Sequence, residues 1–168
     1  MKKQTLAYLL AAALLLAACT HGALAAPAKH PRDACPVTPP DDLQTRLYGP
    51  EDGLQVFISG DGIWENLPMG ITESGPPDKA GFINKVFWRY PGYDWREDPM
   101  PDFILIGEQL DGDGHFEQPG PATNAFAESL LGSAILTGVG IPNRGCWQLT
   151  GHYRGSQLSF VVWVGGSD

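Results

Sequence analysis

The chain has 168 residues, of which 11 are basic and 19 are acidic, giving a formal net charge of −8. This acidity argues against partners that require a basic protein face, so neither nucleic acid nor anionic lipid headgroups are expected. The length fits one domain with a single hydrophobic core.

The chain begins with an export signal. Lys2 and Lys3 precede an uninterrupted apolar run from Leu9 to Ala18, which is too short to span a membrane. The run ends in Leu16-Ala17-Ala18-Cys19, which resembles the lipobox of bacterial lipoproteins. We therefore expect residues 1–18 to be removed and Cys19 to carry acyl chains such as palmitate. The alternative is an ordinary signal peptide cleaved after Ala23-Leu24-Ala25, in which Cys19 has no such role.

Residues 19–33 are predicted to be a lipidated, flexible tether. The segment THGALAAPAKHPRD has small residues and two prolines but no periodicity and no large side chain to bury. Two or more acyl chains would make the membrane a stable partner. Thr20 follows the lipidated cysteine where an Asp would signal retention, so the sorting rule for lipoproteins favours the outer membrane if the organism has one. The predicted localisation is thus exported and lipid-anchored.

The remaining cysteines, Cys35 and Cys146, are expected to form a disulfide, because an exported protein meets conditions in which disulfides form. The bridge would close a loop of about 110 residues, for which the chain-entropy model gives on the order of 4 to 5 kcal/mol. The alternative is a pair of unpaired cysteines that act as small buried hydrophobes.

Residues 34–168 are predicted to form an all-β domain, an antiparallel β-sandwich or barrel, with at most one short helix. Gly (21 residues) and Pro (15 residues) are spread throughout and separate short apolar runs. The predicted strands are Leu54 to Ser59, Phe82 to Arg89, Phe103 to Gln109, Ala134 to Val139, Cys146 to His152 and Leu158 to Val164. Asn124 to Leu131 is predicted to hold a helical turn, with Asn124 as its N-cap.

The last two strands form a hairpin whose turn is centred on Arg154-Gly155-Ser156. On its second strand, alternate residues place Leu158, Phe160, Val162 and Val164 on one face. Because Val161 and Trp163 make the other face substantially apolar as well, the hairpin is expected to lie in the core.

These segments resemble an uncharacterised family of secreted or lipid-anchored bacterial proteins. The resemblance rests on ACPVTPP, YGPEDGLQVFISGDGIW, KVFWRYPGY, LIGEQLDG and IPNRGCWQLTGHYRGSQLSFVVWV, which occur in that order and cover most of residues 34–164. Members have a Cys-Pro-Val-Thr start and a Gly-Cys-Trp-Glu-x-Thr-Gly hairpin; here Gln148 stands in place of the Glu. The resemblance implies an all-β, immunoglobulin-like domain on the cell surface or in the envelope, and it supplies no activity that can be transferred to this chain.

Two acidic residues are candidate metal ligands. Asp111 and Asp113 alternate with glycine, as in loops that gather oxygens around a hard cation. The spacing lacks the closing Glu of an EF-hand, so an acidic turn is the favoured interpretation. His115 and Glu117 follow, but the histidines show no ligand spacing such as HExxH.

A cluster of aromatic residues is the candidate ligand-binding site. Flat rings bordered by polar groups suit sugar rings and protein hot spots. Trp88 is expected in the core, whereas Tyr93, Trp95 and Arg96 are in a loop-like stretch and are expected to be exposed and to bind ligand.

The sequence therefore favours a non-catalytic binding or scaffolding module of the envelope, with no cofactor and no catalytic residue. Envelope polysaccharide or a protein is the expected partner. No Gly-x-Ser-x-Gly motif is present. One alternative is a small hydrolase with a site in the loops of residues 111–128, using His115, Glu117 and Asn124. Another is a purely structural lipoprotein, favoured if the aromatics of residues 88–95 are buried.

Overall fold

The computed structural model describes residues 31–64, 82–118, 122–127 and 132–165. The predicted signal peptide, the lipidation site Cys19 and most of the predicted tether lie outside these residues. The last residues assigned to the tether take part in a 3₁₀ turn, Pro31–Ala34, directly before Cys35. No helix within the described ranges is long and apolar enough to cross a membrane.

The described chain forms ten strands and two short 3₁₀ turns. The second turn, Gly60–Gly62, precedes β3. The strands are β1 (Leu47–Tyr48), β2 (Gln55–Phe57), β3 (Ile63–Trp64), β4 (Phe82–Arg89), β5 (Ile104–Gln109), β6 (His115–Gln118), β7 (Thr123–Ala127), β8 (Gly132–Ile141), β9 (Gly145–Tyr153) and β10 (Ser156–Val164).

The strands form two 5-stranded sheets, in the orders β1-β2-β4-β8-β7 and β3-β10-β9-β5-β6. We call them the first and the second sheet. The predicted all-β sandwich is confirmed, and each predicted strand is present with ends that differ by at most a few residues. Pairing is antiparallel apart from β3, which runs parallel to β10. The short strands β1, β3 and β6 were not predicted, because two to four residues are too few to show an alternating pattern.

The predicted hairpin is formed by β9 and β10, and the predicted alternation of side chains between the two faces of β10 is confirmed. Leu158, Phe160, Val162 and Val164 are buried on one face of β10. The turn is shorter than expected, since Ser156 already pairs with Tyr153. Arg154 and Gly155 alone form it, with φ of 48° and 79°. Positive φ at both positions matches the twist of the strands that such a turn joins.

The core lies between the sheets and is centred on Trp88, which is fully buried as predicted. Its ring packs against Phe103 and Phe160, at centroid distances of 4.9 and 5.6 Å. The indole N–H donates to the hydroxyl of Thr137 at 3.0 Å, so the polar end of this large side chain is satisfied inside the core.

The helical turn predicted for Asn124 to Leu131 is wrong in its described part. Residues 123–127 form strand β7, which pairs with β8. Asn124 does not cap a helix, because its side-chain N–H donates to the carbonyl of Pro99 at 2.7 Å. Tertiary pairing along β8 outweighs the weak local helix preference of an Ala-containing segment. Residues 128–131 lie outside the described ranges.

Strand β9 connects two ends of the sandwich that differ in construction. Its first two residues, Gly145 and Cys146, lie at what we call the disulfide pole, formed by Cys35, the turn at residues 109–114 and the segment 143–147. Tyr153 ends it at what we call the aromatic pole, formed by residues 90–104 and 152–157. At the rise of an extended strand, the 9 residues of β9 separate the poles by about 27 Å.

Candidate functional site

The disulfide pole holds the predicted bridge, which is confirmed. Cys35 and Cys146 are joined, with 5.4 Å between their Cα atoms and a sequence separation of 111. Trp163 packs beside the bridge in a small cluster of its own. Since both sulfurs are in the bridge, neither is a free thiolate for catalysis.

Asp111 is a structural residue of the disulfide pole. Its Oδ1 accepts hydrogen bonds from the backbone N–H of Cys146 at 2.9 Å and from the side-chain amide of Gln109 at 3.1 Å. That amide also donates to the carbonyl of Arg144 at 3.2 Å. Asp111 therefore fixes the turn that presents Cys146 to Cys35.

The other candidate metal ligands are not assembled into a site. Asp113 is exposed and makes no hydrogen bond or ion pair in the described chain. His115 and Glu117 lie on the outer side of the edge strand β6. Among the described residues, no three His, Cys, Asp or Glu side chains are placed to hold a metal ion.

The residues of the alternative hydrolase site lie on two different sheets. His115 and Glu117 belong to the second sheet, whereas Asn124 belongs to the first. Asn124 is engaged with Pro99, and within the described ranges no hydrogen bond joins it to either of the other two. The catalytic arrangement that this alternative requires is therefore not formed here.

The aromatic pole is built around Tyr153, the last residue of β9. Tyr90 and Tyr93 meet its ring edge-on, at centroid distances of 5.2 and 6.1 Å. Phe103 stacks against it from the core side at 6.3 Å. Edge-to-face and offset pairs of this kind add to the stabilisation from burial, so the loop after β4 is held firmly against the hairpin.

Asp98 accepts hydrogen bonds from the polar groups of this cluster. Its Oδ2 accepts from the hydroxyl of Tyr153 at 2.7 Å and from the guanidinium of Arg154 at 3.2 Å. Its backbone carbonyl accepts from the hydroxyl of Tyr93 at 3.0 Å. One residue therefore ties the loop of residues 90–98 to the β9–β10 turn.

Burial and Asp98 keep both tyrosines protonated. Burial, followed by the hydrogen bond to Asp98 and its negative charge, raises the pKa of Tyr153 well above its usual value. Burial, followed by the charge of Asp98, raises the pKa of Tyr93 as well. A tyrosine with a raised pKa is a poor general base near neutral pH, so the cluster is suited to support rather than to proton transfer.

The predicted exposed residues of this loop divide into three cases. Tyr93 is buried, with 6% of its surface accessible, so its expected exposure is wrong. Its hydroxyl reaches the Asp98 carbonyl, which draws the ring inward. Trp95 is half-buried and packs against the core. Arg96 is exposed as predicted, with its guanidinium 4.7 Å from the centre of the Trp95 ring and 3.6 Å from Asp94.

An open groove of about 260 Å³ lies beside this cluster, between the start of β5 and the β9–β10 turn. Its polar lining includes Asp102, His152, Arg154, Ser156 and Gln157. Arg154 is paired with Asp98, but the side chains of Asp102, His152 and Gln157 have no hydrogen bond or ion pair to the described chain. The groove therefore offers unused donors and acceptors on a firmly supported turn.

Sequence reasoning did not identify this groove. No role was assigned to His152 or to Asp102 from the sequence. The available signal was the alternation of β9 and β10, which places His152 and Gln157 away from the core and directly opposite one another. That signal could not show that Asp102, fifty residues away in sequence, lies beside them.

Comparisons of the chain with protein-family models, with curated proteins and with solved structures find no match. The fold and the site thus define a disulfide-bonded β-sandwich with a polar groove at one end. Any function has to be argued from the groove itself.

Proposed function

We propose that this protein is a lipid-anchored module of a bacterial envelope, which binds a partner without catalysis through the groove at the aromatic pole. The observation that carries the proposal is the set of unengaged polar side chains in the groove, Asp102, His152 and Gln157. Binding sites combine a few such groups with a rigid support. The cluster of Tyr153 and Asp98 supplies that support.

The position of the groove agrees with attachment through Cys19. The chain reaches the domain through Pro31–Ala34 and Cys35, at the disulfide pole. A tether that arrives there leaves the aromatic pole, about 27 Å away along β9, at the far end of the domain. The groove would therefore be directed away from the membrane, toward other material of the envelope. The resemblance to a family of secreted or lipid-anchored proteins is part of this proposal.

The groove contains Asp102, His152 and Ser156, but among the described residues no hydrogen bond links these side chains as a hydrolytic site requires. The nearby tyrosines have raised pKa values. His152 has no side-chain hydrogen-bond partner in the described chain to orient it as a general base, and a nucleophile and base are normally linked in that way. These observations favour binding over catalysis.

The test is sedimentation of the mature chain, prepared without its lipid, with isolated envelopes of the source organism. The groove variant is His152→Ala with Gln157→Ala, and the control is Lys85→Ala, an exposed residue on the first sheet. Saturable sedimentation that is lost in the groove variant and kept in the control is expected. Equal sedimentation of all three proteins would refute the groove as the site. A double variant at Tyr93 and Trp95 would be unsuitable, since Tyr93 is part of the core.

A purely structural role is the second candidate, and the burial of Trp88 and Tyr93 favours it. It predicts that no envelope component sediments the lipid-free protein. It also predicts that a stable groove variant restores function to cells lacking the gene for this protein as well as the wild type does. The sedimentation experiment therefore separates the two functions.

A further inference from the structure

The outer side of the second sheet carries side chains in rows across the strands, and we call the three rows nearest the groove the polar face. Each row is set by the pairing of β10, β9, β5 and β6. The rows are Gln157, His152 and Ile104; then Ser159, Thr150, Ile106 and Glu117; then Val161, Gln148, Glu108 and His115. The first row belongs to the groove, so the polar face continues the groove toward the disulfide pole.

Most of the polar groups on this face are available to a ligand. Thr150 and Ser159 share a hydrogen bond of 2.8 Å between their hydroxyls. The polar side chains of the other positions make no hydrogen bond or ion pair to the described chain: Gln148, His152, Gln157, Glu108, His115 and Glu117. Their neighbours along the strands, such as Leu149 and Phe160, are buried. The rows are therefore held in place by the core beneath them.

The charges of the polar face argue against an anionic ligand. Its rows contain two carboxylates, Glu108 and Glu117, and no lysine or arginine. Arg154 stands at the groove end, but Asp98 neutralises it. The whole chain has a formal net charge of −8. A polyanion such as an acidic polysaccharide would be repelled, whereas a neutral chain would not.

The side-chain types argue against a protein partner. The three rows contain no tryptophan, tyrosine, methionine or arginine, the residues that dominate protein interfaces, so a glycan on this face would be held by hydrogen bonds and not by ring stacking. Amides, imidazoles and carboxylates instead match hydroxyl groups, which both donate and accept. Strands lie about 4.8 Å apart and rows about 6.8 Å apart, so the polar groups form a regular array to which a linear chain can make repeated hydrogen bonds.

We propose that a neutral glycan chain binds across the strands of the polar face, with one end in the groove. This inference rests on the proposed function and specifies its ligand. Gln148 and Glu108 lie side by side in the third row, beyond the groove. They would contact the glycan by hydrogen bonds to its hydroxyls, while His152 and Gln157 hold its end.

The experiment is native affinity electrophoresis of the mature chain in gels that contain a soluble neutral glucan. A mixed-linkage β-glucan and a dextran are the neutral probes, and polygalacturonate is the anionic one. The polar-face variant is Gln148→Ala with Glu108→Ala, and the matched control is Lys85→Ala on the first sheet. We expect retardation by at least one neutral glucan and none by polygalacturonate. The polar-face variant should bind about tenfold more weakly, as loss of two hydrogen bonds implies.

Several results would overturn the inference. The first is that neither neutral glucan retards the protein. The second is that the polar-face variant is retarded as strongly as the wild type. The third is that polygalacturonate retards the protein more strongly than the neutral glucans do. Glu117→Ala, an exposed position in the second row, is the substitute variant if the double replacement lowers the thermal unfolding temperature. If the glucans fail while sedimentation with envelopes still requires His152 and Gln157, the glycan inference falls and the proposed function stands. If both experiments fail, both proposals fall.

Discussion

The two poles of this sandwich are stabilised by different means. At the disulfide pole, a covalent bridge and the carboxylate of Asp111 hold backbone segments together. At the aromatic pole, Tyr90 and Tyr93 pack around Tyr153, and Tyr93 and Tyr153 donate hydrogen bonds to Asp98, without any covalent bond. The groove lies at this second pole, where Asp102, His152 and Gln157 make no side-chain hydrogen bond within the described chain.

The covalent bridge and the tyrosine cluster therefore stabilise opposite ends of β9. A disulfide restricts the unfolded chain wherever it is placed, so it need not lie near the groove. The tyrosine cluster, in contrast, fixes the local geometry of the turn that lines the groove. The poles should therefore respond differently to mutation, and the following predictions measure that difference, beginning with the largest effect.

Removing the bridge should have the largest effect on stability and little effect on the groove. Cys35→Ser with Cys146→Ser opens a loop of 111 residues. The free energy of unfolding should fall by about 4 to 5 kcal/mol, according to the chain-entropy model. Urea denaturation of the two proteins measures this loss. A loss below about 1 kcal/mol would show that the unfolded chain is already restricted, or that the bridge is strained.

A methyl group added beneath the aromatic pole should have the next largest effect. A Cβ at Gly151 would lie 2.6 Å from Trp88 and 2.7 Å from Phe103. Overpacking of this kind costs about 1 to 3 kcal/mol, so Gly151→Ala should unfold at lower urea. The control is Gly138→Ala, whose Cβ would meet no atom within 4 Å. An equal loss in both variants would contradict the packing explanation.

Loss of the Asp111 carboxylate should destabilise the disulfide pole alone. Asp111→Ala leaves the N–H of Cys146 without its acceptor, which costs about 1 to 3 kcal/mol for a buried group and less at this partly buried site. Asp113→Ala, two residues away and exposed, is the matched control and should unfold like the wild type.

Thermal unfolding of the wild type and of both variants, with and without calcium, tests whether these aspartates bind a metal ion. If calcium stabilises the wild type but neither variant, Asp111 and Asp113 bind calcium, contrary to the structural role assigned to Asp111 here.

The aromatic pole should weaken selectively at alkaline pH. Because the pKa of Tyr153 is raised in the folded protein, its contribution is complete below the usual tyrosine pKa of about 10. Above that value the unfolded chain loses the proton first, so the free energy of unfolding falls as pH rises. Tyr93 contributes in the same direction.

Tyr153→Phe tests this pH effect. Urea denaturation between pH 7 and 11 should show a shallower decline for the variant than for the wild type. Near pH 7 the variant should lose on the order of 1 kcal/mol, since Asp98 loses one donor. Tyr90→Phe is the control at neutral pH, because its hydroxyl makes no hydrogen bond in the described chain. An unchanged decline in Tyr153→Phe would contradict this prediction.

The sequence by itself determined the sandwich, its long strands and its disulfide. Alternation in β10 reports burial directly, because successive side chains of a strand face opposite sides. The pairing of Cys35 with Cys146 was predicted from the expected export of the chain and from the even number of cysteines left if Cys19 carries lipid. Both conclusions depend on local pattern or on counting, which need no knowledge of distant contacts.

The tertiary structure decided which polar residues meet and which aromatic residues are buried. Asn124 is in a strand because β8 and Pro99 provide its partners. Tyr93 is in the core because Asp98 accepts its hydroxyl bond, although its loop looked exposed. Asp102 and His152 meet in a groove because β5 pairs with β9. Each outcome depends on contacts between segments far apart in sequence, and hydrophobic periodicity carries no information about such contacts.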